Sequence, residues 1–218
     1  MSYKNFPQQI RAAQLDASTF NEKDNTVEVI FTSGASVKRY DRAGAYMEDL
    51  LTGAENVRLD RLNLGAPFLD THDSFDLSRV LGSVVPGTAR MENGFGYATI
   101  KLTRRPDAAG IVQDIRDGVI KNTSVGYRYH KVEEADSGDV RTVRVVDWEP
   151  LEISAVPIPA DALSQIRNDG DRQAEYPALV EKVRSPEEQQ LDAVIKSWGP
   201  MANTRRAQMR RLHMKKFR

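Results

Sequence analysis

Ala89-Arg-Met-Glu-Asn-Gly-Phe-Gly-Tyr-Ala-Thr-Ile-Lys-Leu102 reads as two strands about a tight turn. Asn93-Gly94 tolerates positive φ at both central positions, which a two-residue hairpin requires. Beyond the turn, Phe95, Tyr97 and Thr99 fall on one face and Ala98, Ile100 and Leu102 on the other, the period of a half-buried strand. The alternation returns at Val27, Val29 and Phe31, so most of the first 160 residues read as short, turn-bounded strands. Two helices are expected among them. One runs from Gly44 to Leu51 and ends at Gly53. The other runs from Pro106 to Asp117, with Ile111, Val112 and Ile115 on one face and Gly118 as its C-terminal cap.

The chain has 218 residues, 40% apolar and 28% charged. That is enough to bury a core without disulfides or structural zinc. It contains no cysteine, which excludes a thiolate nucleophile and Cys-ligated metal. No apolar run is long enough to cross a bilayer, and Met1-Ser-Tyr-Lys-Asn-Phe-Pro lacks the apolar stretch of a secretion signal, so a cytoplasmic protein without membrane contact is expected.

Net charge is zero but unevenly spread: residues 1–170 hold 20 basic and 25 acidic side chains, residues 171–218 hold 11 and 6. Composition turns polar after Pro159, so the reading is a main domain over 1–168, a linker over 169–184 and a helical, basic tail over 185–218. Ser185-Pro186-Glu187-Glu188 is a capping box, followed by an apolar stripe at Leu191, Val194, Ile195 and Trp198. Such a stripe must be covered by the chain's own body or by a partner.

Three segments carry residues suited to chemistry. His72 ends the strand-like run Ala66-Pro-Phe-Leu-Asp-Thr-His-Asp. Ser124 lies in Asp117-Gly-Val-Ile-Lys-Asn-Thr-Ser-Val-Gly-Tyr, on the strand face opposite Val125, Tyr127 and Tyr129. Glu152 and Ser154 share a face of Trp148-Glu-Pro-Leu-Glu-Ile-Ser-Ala-Val-Pro, opposite Leu151, Ile153 and Ala155. Each admits a bland reading, as a polar strand-end histidine, a strand-entry serine and a carboxylate with a structural partner. Together a hydroxyl, an imidazole and a carboxylate make a nucleophile, its base and the group that orients the base. The histidines lack metal-ligand spacing, and such a site needs no cofactor.

In order and spacing the three segments resemble the prohead, or head maturation, serine proteases of tailed phages, a family similar to the herpesvirus assemblin proteases. The resemblance rests on Gly65-Ala-Pro-Phe-Leu-Asp-Thr-His72-Asp73 with Leu81-Gly82-Ser83-Val84, on Asp117-Gly118 with Ser124-Val125-Gly126-Tyr127, and on Glu152-Ile-Ser154-Ala-Val156-Pro-Ile-Pro159-Ala160. It covers roughly residues 25–168 and implies an α+β, mainly β fold: an assemblin-like β-barrel core with surrounding helices, here followed by the helical C-terminal extension. It also implies a serine endopeptidase acting on capsid scaffold or on a scaffolding segment of the major capsid protein, inside assembling proheads in the host cytoplasm. By the same resemblance Ser124 is the nucleophile, His72 the general base and acid, and Glu152 the third member. Assemblin relatives use a second histidine there, which makes His130 the rival. It lies six residues after Ser124 on one strand, about 20 Å away if the strand is straight, so it is not expected to reach His72 while Ser124 does.

Two other functions compete: an assembly or scaffold protein of this fold without catalysis, and a nucleic-acid-binding module acting through Arg205, Arg206, Arg210, Arg211, Lys215, Lys216 and Arg218. The tail lacks the interleaved aromatic residues of a base-stacking surface. Docking to acidic coat or scaffold surfaces is therefore the preferred reading over nucleic acid, and a homodimer stays open.

Overall fold

The computed structural model describes residues 2–41, 43–137, 140–157 and 175–183, with Gln189, Gln190 and Ala193 beyond them. The strands are β1 (Ser2–Pro7), β2 (Gln9–Asn21), β3 (Thr26–Thr32), β4 (Val37–Asp41), β5 (Gly44–Leu50), β6 (Pro67–Asp70), β7 (Val80–Val84), β8 (Arg90–Glu92), β9 (Phe95–Leu102), β10 (Asn122–Ser137), β11 (Val140–Ala155) and β12 (Glu175–Lys182). A one-turn helix α1 (Asp60–Asn63) precedes β6, and α2 (Ala109–Arg116) follows a 3-10 turn at Pro106–Ala108.

Among the described residues the twelve strands belong to one sheet, whose path runs β1-β12-β10-β2-β3-β9-β7-β6-β11-β5-β4 with β8 on β9. The fold is mainly β as expected, but the sheet as a whole is open, ending at β1 and β4, and is not the closed barrel that the resemblance implies. The long β10–β11 hairpin joins the middle of that path, so pairings leading from β10 through β2, β3, β9, β7 and β6 to β11 return to β10. The core includes Val27, Val29 and Phe31 of β3, Ala98 and Ile100 of β9, Phe68 of β6, and Val125 and Tyr127 of β10, each no more than 1% exposed. These are the inward positions that the period-two pattern selects. The β8–β9 turn is as read, with φ of 52° at Asn93 and 83° at Gly94.

The helix expected over Pro106–Asp117 forms as the 3-10 turn and α2; Val112 and Ile115 face the core, and the Gly118 N–H closes on the Ile115 carbonyl at 3.2 Å. The helix expected over Gly44–Leu51 does not form. That segment is β5, in which Tyr46, Glu48 and Leu50 alternate inward. Antiparallel pairing with β4 and parallel pairing with β11 satisfy its backbone groups on both sides. Part of the segment read as a linker, 169–184, is also strand: β12 pairs antiparallel with β1 and parallel with residues 131–134 of β10, and buries Ala178 and Val180. The helix from Ser185 and the basic tail lie outside the described residues, apart from Gln189, Gln190 and Ala193. Among the described residues no helix is long and apolar enough to cross a membrane.

Four strands meet at a buried charge cluster that the sequence did not announce. Glu48 of β5 is fully buried; it pairs with Arg11 Nη2 of β2 at 2.9 Å and Arg39 Nε of β4 at 2.8 Å, and accepts from Tyr127 and Tyr129 of β10. Burial pushes the Glu48 carboxyl up, but Arg39, Arg11 and the two phenol hydroxyls outweigh it and hold it below the usual carboxylate range. Burial likewise raises the phenols of Tyr127 and Tyr129. The cluster fixes β10 only three residues beyond Ser124.

Candidate active site

Ser124 and Ser154 are direct partners across the β10–β11 ladder, as are Gly126 and Glu152. Directly opposed antiparallel residues project on one face with Cα atoms about 4.5–5.5 Å apart, so Ser124, Ser154 and Glu152 share a face. A Cβ at Gly126 would run into Glu152 Oε1 and the Gln8 side-chain amide. The glycine of the Ser-Val-Gly-Tyr block is therefore the space in which the Glu152 carboxylate lies.

The third residue arrives on a turn. Parallel pairing of β6 with β11 sets Asp70 opposite Ala155 and Leu69 opposite Ser154. The chain then reverses through Asp70-Thr71-His72-Asp73, with Asp73 N–H donating to the Asp70 carbonyl at 3.0 Å. Both central residues are left-handed, φ 51° at Thr71 and 63° at His72. This is turn geometry of type I′, which glycine and asparagine adopt readily and a β-branched threonine does not. Three contacts hold it against that preference: Thr71 N–H to the Ala155 carbonyl at 2.9 Å, His72 N–H to Ser154 Oγ at 3.1 Å, and the Arg79 guanidinium on Asp70 at 2.8 Å.

The turn sets His72 Nδ1 2.7 Å from Glu152 Oε1, while the Ser154 hydroxyl donates to Glu152 Oε2 at 2.5 Å. Both carboxylate oxygens are thereby engaged, and the side chains are mostly buried, 16% exposed for His72 and 7% for Glu152. A carboxylate only accepts, so Nδ1 carries the ring proton and a neutral His72 leaves its lone pair on Nε2. That nitrogen is buried and has no hydrogen-bond partner among the described residues. The Ser124 hydroxyl, also buried, donates to the Arg11 main-chain carbonyl of β2 at 3.0 Å. The geometry thus joins His72 with Glu152, places Ser124 one ladder rung away across from Ser154, and leaves the serine hydroxyl engaged on the neighbouring strand.

His130 goes elsewhere. Its Nε2 lies 2.9 Å from Glu149 Oε2, and Arg128 and Arg61 bind the same carboxylate. Burial pushes the Glu149 carboxyl up, but the bonds from His130, Arg61 and Arg128 overcome it and hold it down to about 2. His130→Ala is accordingly expected to leave any activity of the His72 site within about twofold of wild type, since its ring bonds Glu149 and shares no partner with His72, and sites without shared partners act nearly independently; a peptide-cleavage assay checks it. Among the described residues no group of three or more His, Asp or Glu side chains is arranged to hold a metal ion.

Sequence reading missed Ser154 as the group bridging His72 and Glu152. The signal was present, since Ser154 follows Glu152 by two on a strand and so must share its face.

Residues 16–177 match the family model described as caudovirus prohead serine protease. A curated relative, named major capsid protein of the Halomonas phage phiHAP-1, is 32% identical over 102 residues, covering 46% of this chain and 17% of the relative. The chain thus spans less than a fifth of that protein's length. No solved structure matches the chain.

Proposed function

The chain belongs to the caudovirus prohead serine protease family, and from that premise we propose that it is an endopeptidase of phage head maturation with Ser124 as nucleophile, His72 as general base and acid, and Glu152 as the orienting carboxylate. The observation that carries this reading is the His72 Nδ1–Glu152 Oε1 contact at 2.7 Å, which leaves Nε2 buried and without a partner among the described residues. A donor-free imidazole nitrogen in a water-poor site is what a serine proton needs to be taken up.

In the first step Ser124 Oγ leaves the Arg11 carbonyl, gives its proton to His72 Nε2 and attacks the scissile carbonyl carbon. Glu152 stabilises the imidazolium so formed, and Ser154 keeps the carboxylate from rotating away. Imidazolium then protonates the leaving amine as the C–N bond breaks, giving an acyl-serine. Water, deprotonated by the same nitrogen, releases the acyl group and restores Ser124. The substrate we infer is the coat protein or a scaffold: the chain is similar to part of a phage protein named for the major capsid. The place of action is the interior of an assembling shell, to which the basic tail would dock.

A second reading, an assembly protein of the same fold without catalysis, draws on the Ser124 hydroxyl being engaged by Arg11. Co-expression with the coat and scaffold proteins of the same genome, followed by mass spectrometry of the fragments, separates the two: intact partners would sink the protease reading. Within the protease reading, Glu152→Gln keeps the side chain's shape but loses the charge that steadies the imidazolium. It is expected to retain activity roughly two orders of magnitude above a variant lacking the nucleophile. Equal losses in the two variants, measured as kcat on a cleaved peptide, would give Glu152 a larger role than orientation.

A further inference from the structure

Phe75 and Leu77 are 79% and 85% exposed, on the loop that leaves the His72 turn. The backbone beneath them is firmly held. Asp73 accepts from Phe75 N–H at 3.0 Å, Asp76 accepts from Ser78 N–H at 2.8 Å, and the Arg105 guanidinium donates to the carbonyls of Leu77, Ser78 and Val80 at 2.8–3.1 Å. Arg79 then closes the loop onto Asp70 at the base of the turn. Two large apolar side chains held outward on a pinned loop indicate contact with something else.

Resting on the protease reading, we propose that Phe75 and Leu77 form a substrate subsite that takes an apolar side chain within about three residues of the scissile bond. Phe75 is three residues from His72, so their Cα atoms lie at most about 11 Å apart, the span of about three residues of extended polypeptide. Leu77 is two residues from Arg79, which is itself bonded to Asp70 beside His72. An extended polypeptide lying against His72 thus has this loop within reach of about three of its residues. A second copy of the chain is a poorer occupant. Two such side chains offer on the order of 300–400 Å², whereas a stable interface needs about 800 Å² from each partner.

The test uses the full-length chain and a library of random decapeptides, with cut sites read by mass spectrometry. Wild type is expected to enrich Leu, Ile, Val, Met or Phe at one position within three residues of the cut. Phe75→Ser/Leu77→Ser should flatten that enrichment and raise KM for the best peptide about tenfold or more. Tyr3→Ser, equally exposed but on β1, should keep both. Unchanged preference in the double variant would overturn the subsite, as would a wild type indifferent to apolar residues. A wild-type dimer that the double variant splits with its preference intact would also overturn it, giving the loop to a second copy. Treatment of wild type with diisopropyl fluorophosphate keeps the two levels apart. Labelling of Ser124 with unchanged preference sinks only the subsite, whereas no labelling and no cleavage sink the protease reading and the subsite with it.

Discussion

Ser124→Ala is expected to lower kcat for coat or scaffold cleavage by about 10⁶-fold, the scale seen when a serine protease loses its nucleophile. The fold should survive. The substitution removes one oxygen and its hydrogen bond to the Arg11 carbonyl, a net loss of about 1 kcal/mol. Because Ser124 and His72 would act as one unit, Ser124→Ala/His72→Ala should be no slower than Ser124→Ala alone. The checks are fragment yield by mass spectrometry and a thermal melt of each variant. Cleavage by purified Ser124→Ala at the wild-type rate, with host proteases excluded, would move the nucleophile elsewhere, and Ser154 would be the first residue to try.

The second large effect is on stability. Glu48→Gln should destabilise the protein by about 3–5 kcal/mol, the cost of breaking a buried ion pair and leaving its partners charged. Two guanidinium groups, those of Arg11 and Arg39, share this one carboxylate at 3% and 8% exposure. Tyr127 and Tyr129 donate to separate carboxylate oxygens, so one of them would lose its acceptor to the amide NH2. Against a typical total of about 5–15 kcal/mol, that is enough to leave a large unfolded fraction at moderate denaturant. The pH dependence follows in sign. The Glu48 carboxyl is held below its ordinary 4.5, so its stabilising contribution is complete above that value. It is lost as pH falls through the lower folded value. Wild type should therefore weaken on acidification, and Glu48→Gln should weaken less steeply. Urea titrations of both proteins near neutrality and near pH 3 measure this, and a difference under about 1 kcal/mol at neutrality would mean that the cluster is far less important than its burial implies.

What could be read beforehand, and what could not, follows from how far each signal reaches along the chain. The Asn93-Gly94 hairpin and the Val27-Val29-Phe31 face are written in neighbouring residues, and both were legible. Glu48 hid β5. A carboxylate at an inward position breaks the apolar alternation, and its two cationic partners lie 37 and 9 residues away. Pro177 hid β12, because proline usually disfavours a strand. Here it lies opposite Asn5 of β1, before the β10 pairing begins at Leu179, so its missing N–H is not required on that side. The site divided in the same way. His72, Ser124 and Glu152 stood out through three spaced blocks, but nothing in Asp70-Thr71-His72-Asp73 spells a left-handed turn. The β11 contacts and Arg79 impose it.

That turn marks a place where the chain carries strain it could shed. Left-handed backbone at non-glycine residues costs on the order of 1–3 kcal/mol each, and Thr71 and His72 adopt it in succession. A lineage selected only for heat resistance would be drawn to position 71, where glycine or asparagine relaxes the backbone at little structural expense. The contacts that hold the turn come from the main chain of residues 71 and 72 and from the Ser154 and Arg79 side chains, so that change would leave the imidazole aimed at Glu152. Durability could thus be gained at a residue whose side chain takes no part in holding His72 on Glu152.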